Sequence, residues 1–224
     1  MMRASDYTLA VIALIDYGMG NLRSVQKALA RVGADVQIVN GPKALADADA
    51  MVLPGVGAFD DCIRNLQKQN LFDASREFIA SGKPFLGICL GYQALFEGSD
   101  EGSGKTNGLG IFRGRVVRFP ADNSLKVPQI GWNQIKFVRS KCPLLAGLDR
   151  GEPVESKVEP WVYFVHSYFP KPKDATIVAT ETDYGAHFAS MIWDKNVFAT
   201  QFHPEKSQAV GLQMLKNFVK LTKE

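Results

Sequence analysis

Between residues 9 and 88, short apolar runs alternate with segments whose apolar side chains recur at helical spacing. This alternation fixes the fold class before any motif is considered. Residues 9–15 form a near-continuous apolar run, the pattern of a strand covered on both faces. Leu22, Val25, Leu29 and Val32 then follow at helical intervals, and Gly33 stops that helix. Residues 36–39 and 50–53 read as further strands, the latter closed by Pro54-Gly55. Residues 59–66 and 72–79 read as helices, with Asp60 and Asp61 in the first turn of the former. Residues 85–88 are a fourth strand. Strands joined by helices imply a parallel sheet with right-handed crossovers.

The second half reads differently. Residues 111–119, 132–138, 161–165, 177–182, 189–193 and 197–200 are strand-like and closely spaced by turn residues, which implies hairpins and some antiparallel pairing. A final helix is expected from about Ser207 to Leu221, and residues 97–108 form a glycine-rich polar loop. With no linker or repeat in view, the expectation is one three-layer α/β domain spanning residues 1–224, with a mixed, mainly parallel sheet.

Composition enters by exclusion. Apolar residues make up 46% of the 224, too many for a disordered chain. A net charge of +3 without a dense basic block gives no footprint for nucleic acid. Three cysteines without CxxC spacing cannot all pair, which favours a reducing, cytoplasmic setting and leaves room for a working thiol. The apolar run near the start is too short, and too closely bounded by Asp6 and Asp16, for a signal peptide, and no run approaches a membrane span.

Three segments carry chemistry. Gly87-Ile88-Cys89-Leu90-Gly91 places a cysteine between glycines where a strand gives way to a helix, here expected to continue through residues 92–96. This is the pattern of a strand-to-helix nucleophile elbow. Small neighbours let the backbone turn sharply, and the helix N-terminus favours a thiolate. The N–H of Leu90 is expected to point to where an oxyanion would form. His203-Pro204-Glu205 follows the last strand, so Pro204 holds His203 extended and Glu205 can orient its ring. His166 reads as a structural histidine and His187 as exposed. Pro54-Gly55-Val56-Gly57 ends a third strand and is a candidate oxyanion hole, worth roughly 3–4 kcal/mol to acyl transfer. Cys62 and Cys142 lack such a setting and read as structural.

Other motifs are incomplete. Arg23 stands where a dinucleotide fingerprint beginning Gly18-Met19-Gly20 needs its last glycine. No Walker loop, GxSxG or zinc-ligand spacing is present, so no metal or cofactor is expected.

Taken together, the elbow with Gln93 behind it and the His-Pro-Glu segment resemble the two signatures of class I triad glutamine amidotransferases. The resemblance extends over essentially the whole chain and implies a flavodoxin-like fold. Further segments narrow it to one branch: Asp16-Tyr17-Gly18-Met19-Gly20-Asn21, Pro128-Gln129-Ile130-Gly131-Trp132-Asn133, Tyr163-Phe164-Val165-His166-Ser167-Tyr168 and Glu205-Lys206-Ser207. Gln129 departs from the His or Met expected there. The resemblance implies that Cys89 attacks the side-chain amide of glutamine, His203 carries protons and Glu205 orients His203. It further implies an oxyanion hole from Val56, Gly57 and Leu90, and substrate contacts from Gly55, Gln93, Ser167 and Tyr168. In that branch the ammonia passes to a separate (β/α)₈ cyclase subunit in a heterodimer, toward which Trp132, Tyr163 and Lys206 lie. The oxyanion turn flips there when the partner binds its own ligand. The chain offers no second domain to accept ammonia, which fits a separate partner. Rival readings are a glutaminase for another acceptor, such as anthranilate or pyridoxal phosphate synthesis, a cysteine peptidase of the same fold, and a silent binding module.

Overall fold

A computed structural model describes residues 10–120, 125–148 and 159–223. Residue 9, where the first strand is expected to begin, lies outside them. The first half runs β1 (Val11–Ile15), α1 (Leu22–Arg31), β2 (Asp35–Val39), α2 (Pro42–Ala46), β3 (Ala50–Leu53), α3 (Phe59–Lys68), α4 (Leu71–Ala80), β4 (Phe85–Ile88) and α5 (Leu90–Gln93). The second half runs β5 (Phe96–Ser99), β6 (Phe112–Arg118), β7 (Gln129–Gln134), β8 (Lys136–Phe137), β9 (Trp161–His166), β10 (Tyr168–Pro172), β11 (Val178–Asp183), β12 (His187–Asp194), β13 (Val197–Thr200) and α6 (Gln208–Leu221).

The main sheet has the order β2-β1-β3-β4-β13-β12-β11-β8. Its first five strands are parallel; β12, β11 and β8 add antiparallel. A smaller sheet has the order β10-β6-β5, and β7 pairs with β9 as a separate antiparallel ribbon. The mixed, mainly parallel α/β architecture agrees with the sequence pattern.

Side-chain alternation divides the interior into two cores. Ile12 and Leu14 face one cluster, which includes Val25 and Leu29 of α1 and Met214 and Phe218 of α6. Ala13 and Ile15 face the other, with Phe59, Ile63 and Leu66 of α3 and Phe78 of α4. Each such fully buried large side chain contributes about 1.5–3 kcal/mol. Gly33 closes α1 at φ +87°, a left-handed position that a side chain would strain.

Several details depart from the sequence reading. The expected strand 132–138 divides into β7, in the ribbon with β9, and β8, at the edge of the main sheet. A short helix, α2, starts on Pro42 between β2 and β3; it was not expected. The strand β10 was also not anticipated. The helix expected through residues 92–96 lasts one turn, because the returning chain takes the carbonyls it would need. The N–H of Leu109 donates to the Ala94 carbonyl (2.7 Å), and those of Ile111 and Phe112 to that of Leu95 (2.9 and 3.1 Å). Phe96 therefore enters β5, parallel to β6, and takes the first residues of the expected polar loop with it.

Candidate active site

The sheet order decides which chain segments meet. β4 lies between β3 and β13, all three run parallel, and Gly87 pairs with Leu53 while Ile88 pairs with Thr200. The residues after these three strands therefore emerge side by side at one carboxyl edge. They are Pro54-Gly55-Val56-Gly57 after β3, Cys89 after β4 and His203 after β13. Neighbouring strands lie about 4.8 Å apart, so segments distant in sequence fall within the reach of one small substrate.

Cys89 takes φ 53° and ψ −104°, a conformation that costs a non-glycine residue of order 1–3 kcal/mol. Its N–H donates to the Thr200 carbonyl (2.7 Å), which pins the elbow to β13. The flanking glycines are required by space: a Cβ on Gly91 would overlap the Leu53 carbonyl, and one on Gly87 would come within 2.9 Å of the Gly91 carbonyl oxygen. The Cys89 thiol reaches toward the Val165 carbonyl at 3.9 Å and accepts from the Gln201 side-chain NH₂ at 3.6 Å.

His203 is held extended before Pro204 (φ −99°, ψ 98°). Its Nδ1 lies 2.7 Å from Glu205 Oε1, and the two side chains are only 3% and 2% exposed. Burial alone would lower the pKa of this imidazole. The charge and hydrogen bonding of Cys89, then of Glu205, outweigh it and push the pKa up to about 10. Nε2 is left without a protein hydrogen-bond partner among the described residues, while Cys89 supplies the largest of the raising influences on the ring. The imidazole thus stands with one nitrogen oriented by a carboxylate and the other free beside the sulfur.

A cavity of about 250 Å³ opens over the sulfur, lined by Val56, Gly57, Cys89, Leu90, Gln93, Ser167 and Tyr168 among the expected residues. Gly55 lies beneath it, where a Cβ would overlap the Tyr17 hydroxyl and come within 2.8 Å of Leu90 Cβ. The Gln93 side-chain NH₂ is already engaged, donating to the Tyr168 carbonyl (2.9 Å) and Gln201 Oε1 (3.1 Å).

The oxyanion turn, whose state the sequence leaves open, is closed here. The N–H of Leu90 does not point into open space but donates to the Gly55 carbonyl at 3.3 Å. The Gly55–Val56 peptide thus presents an acceptor where an oxyanion hole needs a donor. The reason is local: an N–H in the first turn of α5 has no partner within its own helix, and the Gly55 carbonyl is an acceptor within its reach.

Glu101, Pro128, Val165 and His166 also line the cavity and were not foreseen. Glu101 comes from the polar loop after β5. Its Oε2 accepts from the Phe59 N–H (2.9 Å), capping α3 where Ala58 offers no side-chain cap. Desolvation raises its pKa, aided by Asp60 and Asp61 and opposed by the Phe59 bond. Spacing could not reveal this residue, because a loop of acidic and glycine residues reads as solvated surface.

His166 is buried, as expected of a structural histidine, yet it reaches the site. Its Nδ1 donates to the Tyr168 carbonyl (2.8 Å). Desolvation, helped by the charge of His203, lowers its pKa to about 4, so Nε2 carries no proton at neutral pH. The Gln129 side-chain Oε1 lies 3.0 Å from Nε2. The departure at position 129 thus sets an amide group against this buried histidine. His187 is exposed and pairs with Asp183. Cys62 and Cys142 are buried with thiol pKa values raised by desolvation, to about 12 and about 11.

The three expected interface residues cluster. Trp132 and Tyr163 meet edge-to-face with centroids 6.1 Å apart, and Lys206 Nζ lies 5.6 Å from the Tyr163 ring centroid. Trp132 and its ribbon neighbour Ile130 are exposed.

Comparison with known proteins agrees with this geometry. A family profile described as Glutamine amidotransferase class-I matches residues 13–221. The chain is 52% identical over 213 residues to a Syntrophotalea carbinolica protein described as Imidazole glycerol phosphate synthase subunit HisH, covering 93% of this chain and 98% of that one. A protein of the same description from Aquifex aeolicus is 51% identical over 206 residues, with 92% and 94% covered. Among solved structures, PurLQS from Thermotoga maritima superposes with TM-score 0.72 at 18% identity, covering 96% of this chain and 98% of that one. The glutaminase domain of Trypanosoma brucei CTPS gives 0.65 at 14% identity, covering 94% of each chain. At such identities these two likenesses speak to fold alone.

Proposed function

Because this chain belongs to the class-I glutamine amidotransferase family, we propose that Cys89, His203 and Glu205 are its catalytic triad. The chain functions as a glutaminase subunit of imidazole glycerol phosphate synthase in histidine biosynthesis, releasing ammonia from glutamine. The relatives at about half identity over nearly their full length support this assignment. The observation that carries the site reading is the meeting of Cys89, His203 and the Gly55–Gly57 turn at three adjacent strand ends.

The steps follow from the groups present. His203, its pKa raised, carries on Nε2 the proton it shares with Cys89, leaving the sulfur to attack the side-chain carbonyl carbon of glutamine. The N–H groups of Leu90 and of the Val56-Gly57 turn hold the oxyanion once the Gly55 carbonyl has swung away. Collapse breaks the C–N bond, and His203 passes its proton to the leaving nitrogen, which departs as ammonia. Water, deprotonated by His203, then cleaves the thioester to glutamate and restores the thiol. Glu205 keeps the Nδ1 proton in place so that Nε2 can accept. Gln93, Ser167 and Tyr168, which line the cavity, together with Gly55 would hold the amino-acid end of the substrate, and the Glu101 carboxylate on the cavity wall suits its ammonium.

Ammonia passes to a (β/α)₈ cyclase subunit, which makes imidazole glycerol phosphate and AICAR, and the two subunits form a heterodimer. The cluster of Trp132, Tyr163 and Lys206 faces that partner. The Leu90–Gly55 hydrogen bond supports slow hydrolysis by the free subunit, with the turn opening when the partner binds its own ligand. Three free cysteines suit a cytoplasmic protein. Among the described residues, no helix is long and apolar enough to cross a membrane.

The test is glutamate release from glutamine, measured with and without the cyclase, for wild type and Cys89→Ala. The partner should accelerate wild-type release and have no effect on the variant. Equal, fast release without the partner, or release that survives the substitution, would overturn the reading.

A further inference from the structure

Ser207 occupies the residue before α6, where a serine ordinarily accepts a hydrogen bond from the first turn of its helix. Here its side chain makes no such bond. The hydroxyl, fully buried, turns the other way. It donates to the His203 carbonyl (2.6 Å) and accepts from the Tyr163 N–H (3.0 Å). The His203 N–H in turn donates to the Tyr163 carbonyl (2.9 Å). Both main-chain groups of Tyr163 are therefore joined to both main-chain groups of His203, one directly and one through a side-chain oxygen.

The physical reason is visible in the chain. Past β13 the backbone bends into the short turn Pro204–Lys206, so residue 203 makes one of the two bonds of an antiparallel pair with β9 and not the other. The Ser207 oxygen fills that gap. α6 holds this turn from behind: a Cβ on Gly211 would overlap the Pro204 carbonyl, and the Gly211 N–H donates to the Ser207 carbonyl (3.1 Å).

The strand at the other end of the clamp touches both halves of the reacting pair. Tyr163 of β9 holds His203, and two residues on the Val165 carbonyl receives the Cys89 thiol. The same strand pairs Tyr163 with Trp132 in the exposed β7–β9 ribbon. We propose that Ser207 is a positioning residue for glutamine hydrolysis, its hydroxyl being the joint that fixes the His203 main chain to β9 and so sets the imidazole against the Cys89 sulfur. The proposal rests on the triad reading above. A displacement of the ribbon by a docked partner would reach His203 through this joint.

The titratable groups facing His203 are Cys89, Glu205 and His166. Glu205 shares the turn of His203 and would move with it; Cys89 and His166 sit on other elements and would not. Loss of the clamp should therefore uncouple His203 from Cys89 while keeping its bond to Glu205. In Ser207→Ala, kcat for glutamine in the complex with the cyclase should fall by at least about tenfold, with KM within about twofold of wild type. Ring-nitrogen NMR of the folded chain should show the His203 midpoint falling by about one unit or more from its raised wild-type position, a change that mere loss of stability would not produce. Ser207→Thr, which keeps the hydroxyl, should restore both readouts. If the alanine variant does not fold, Ser207→Cys fills the site with a slightly larger and weaker hydrogen-bonding group and should fall between wild type and the predicted loss. A Ser207 variant that folds with an unchanged kcat and an unchanged His203 midpoint would overturn the proposal and leave the triad standing. A wild-type His203 midpoint that does not respond to Cys89→Ala would instead remove the triad reading, and this proposal with it.

Discussion

Glu205→Gln tests most directly what the buried carboxylate does for His203. In the wild type, Glu205 Oε1 accepts from His203 Nδ1 at 2.7 Å with both side chains almost wholly buried. The carboxylate does two things there. It stabilises the imidazolium that forms when Cys89 is deprotonated, and it fixes the proton on Nδ1. A glutamine preserves the shape but turns an NH₂ toward Nδ1, which favours the tautomer with its proton on Nε2, where the thiol proton must arrive. At a separation of about 4 Å and an effective dielectric of about 20, the lost charge interaction is of order 4 kcal/mol. That corresponds to roughly a thousandfold in rate, and the tautomer change adds to it, up to about ten-thousandfold. Stability should fall as well, by about 3–5 kcal/mol, because the raised pKa of His203 leaves a buried cation that has lost one of its counter-charges. The assay is glutamate release by the complex at saturating glutamine, beside a denaturant melt of the isolated chain. Release within tenfold of wild type, with the fold intact, would refute the orienting role of Glu205.

Stability should depend on pH through two histidines of opposite sign. His203 has a folded pKa raised to about 10, so its contribution is complete below its ordinary value near 6.5 and is lost as pH rises toward 10. His166 has a folded pKa lowered to about 4, so the fold loses stability as pH falls from about 6.5 toward 4, by about 3 kcal/mol. Urea melts across this range should show both limbs, the acid one flattened in His166→Gln and the alkaline one in His203→Gln. Gly55→Ala would force a Cβ against the Tyr17 hydroxyl and Leu90, displacing the oxyanion turn from the Cys89 elbow. Its kcat should fall by about 10²–10³ while glutamine still binds, as isothermal titration would show. Glu101→Gln should raise KM for glutamine by about tenfold with kcat little changed, because one charged contact to the substrate ammonium is lost; an unchanged KM would place the ammonium elsewhere.

The residues that could be read from sequence are those whose function is tied to chain direction. The ends of β3, β4 and β13 announce themselves by glycines or His-Pro after an apolar run, and a parallel sheet must bring such ends to one edge. Ser207, Glu101 and Gln129 were illegible for a shared reason. Each bonds a group far away in sequence, and each has an ordinary local role to hide behind: a helix cap, a solvated loop, a strand residue. The state of the oxyanion turn was illegible on other grounds. Both orientations of the Gly55–Val56 peptide satisfy the same sequence, and only the hydrogen bond from Leu90 distinguishes them. The truncated helix after Cys89 shows tertiary contacts overriding local propensity, since the carbonyls of Ala94 and Leu95 serve residues 109–112 instead of a second helical turn.

The central claim is that the Cys89 sulfur is acylated by glutamine while His203 moves the proton. Acid-quenching the complex during turnover and mapping its peptides by mass spectrometry tests this directly. A glutamyl group should appear on Cys89 alone, be absent from Cys62 and Cys142, and fail to form in His203→Ala. Steady glutamate release with no modified Cys89 peptide at any quench time, or the adduct forming at wild-type rate without His203, would contradict the account.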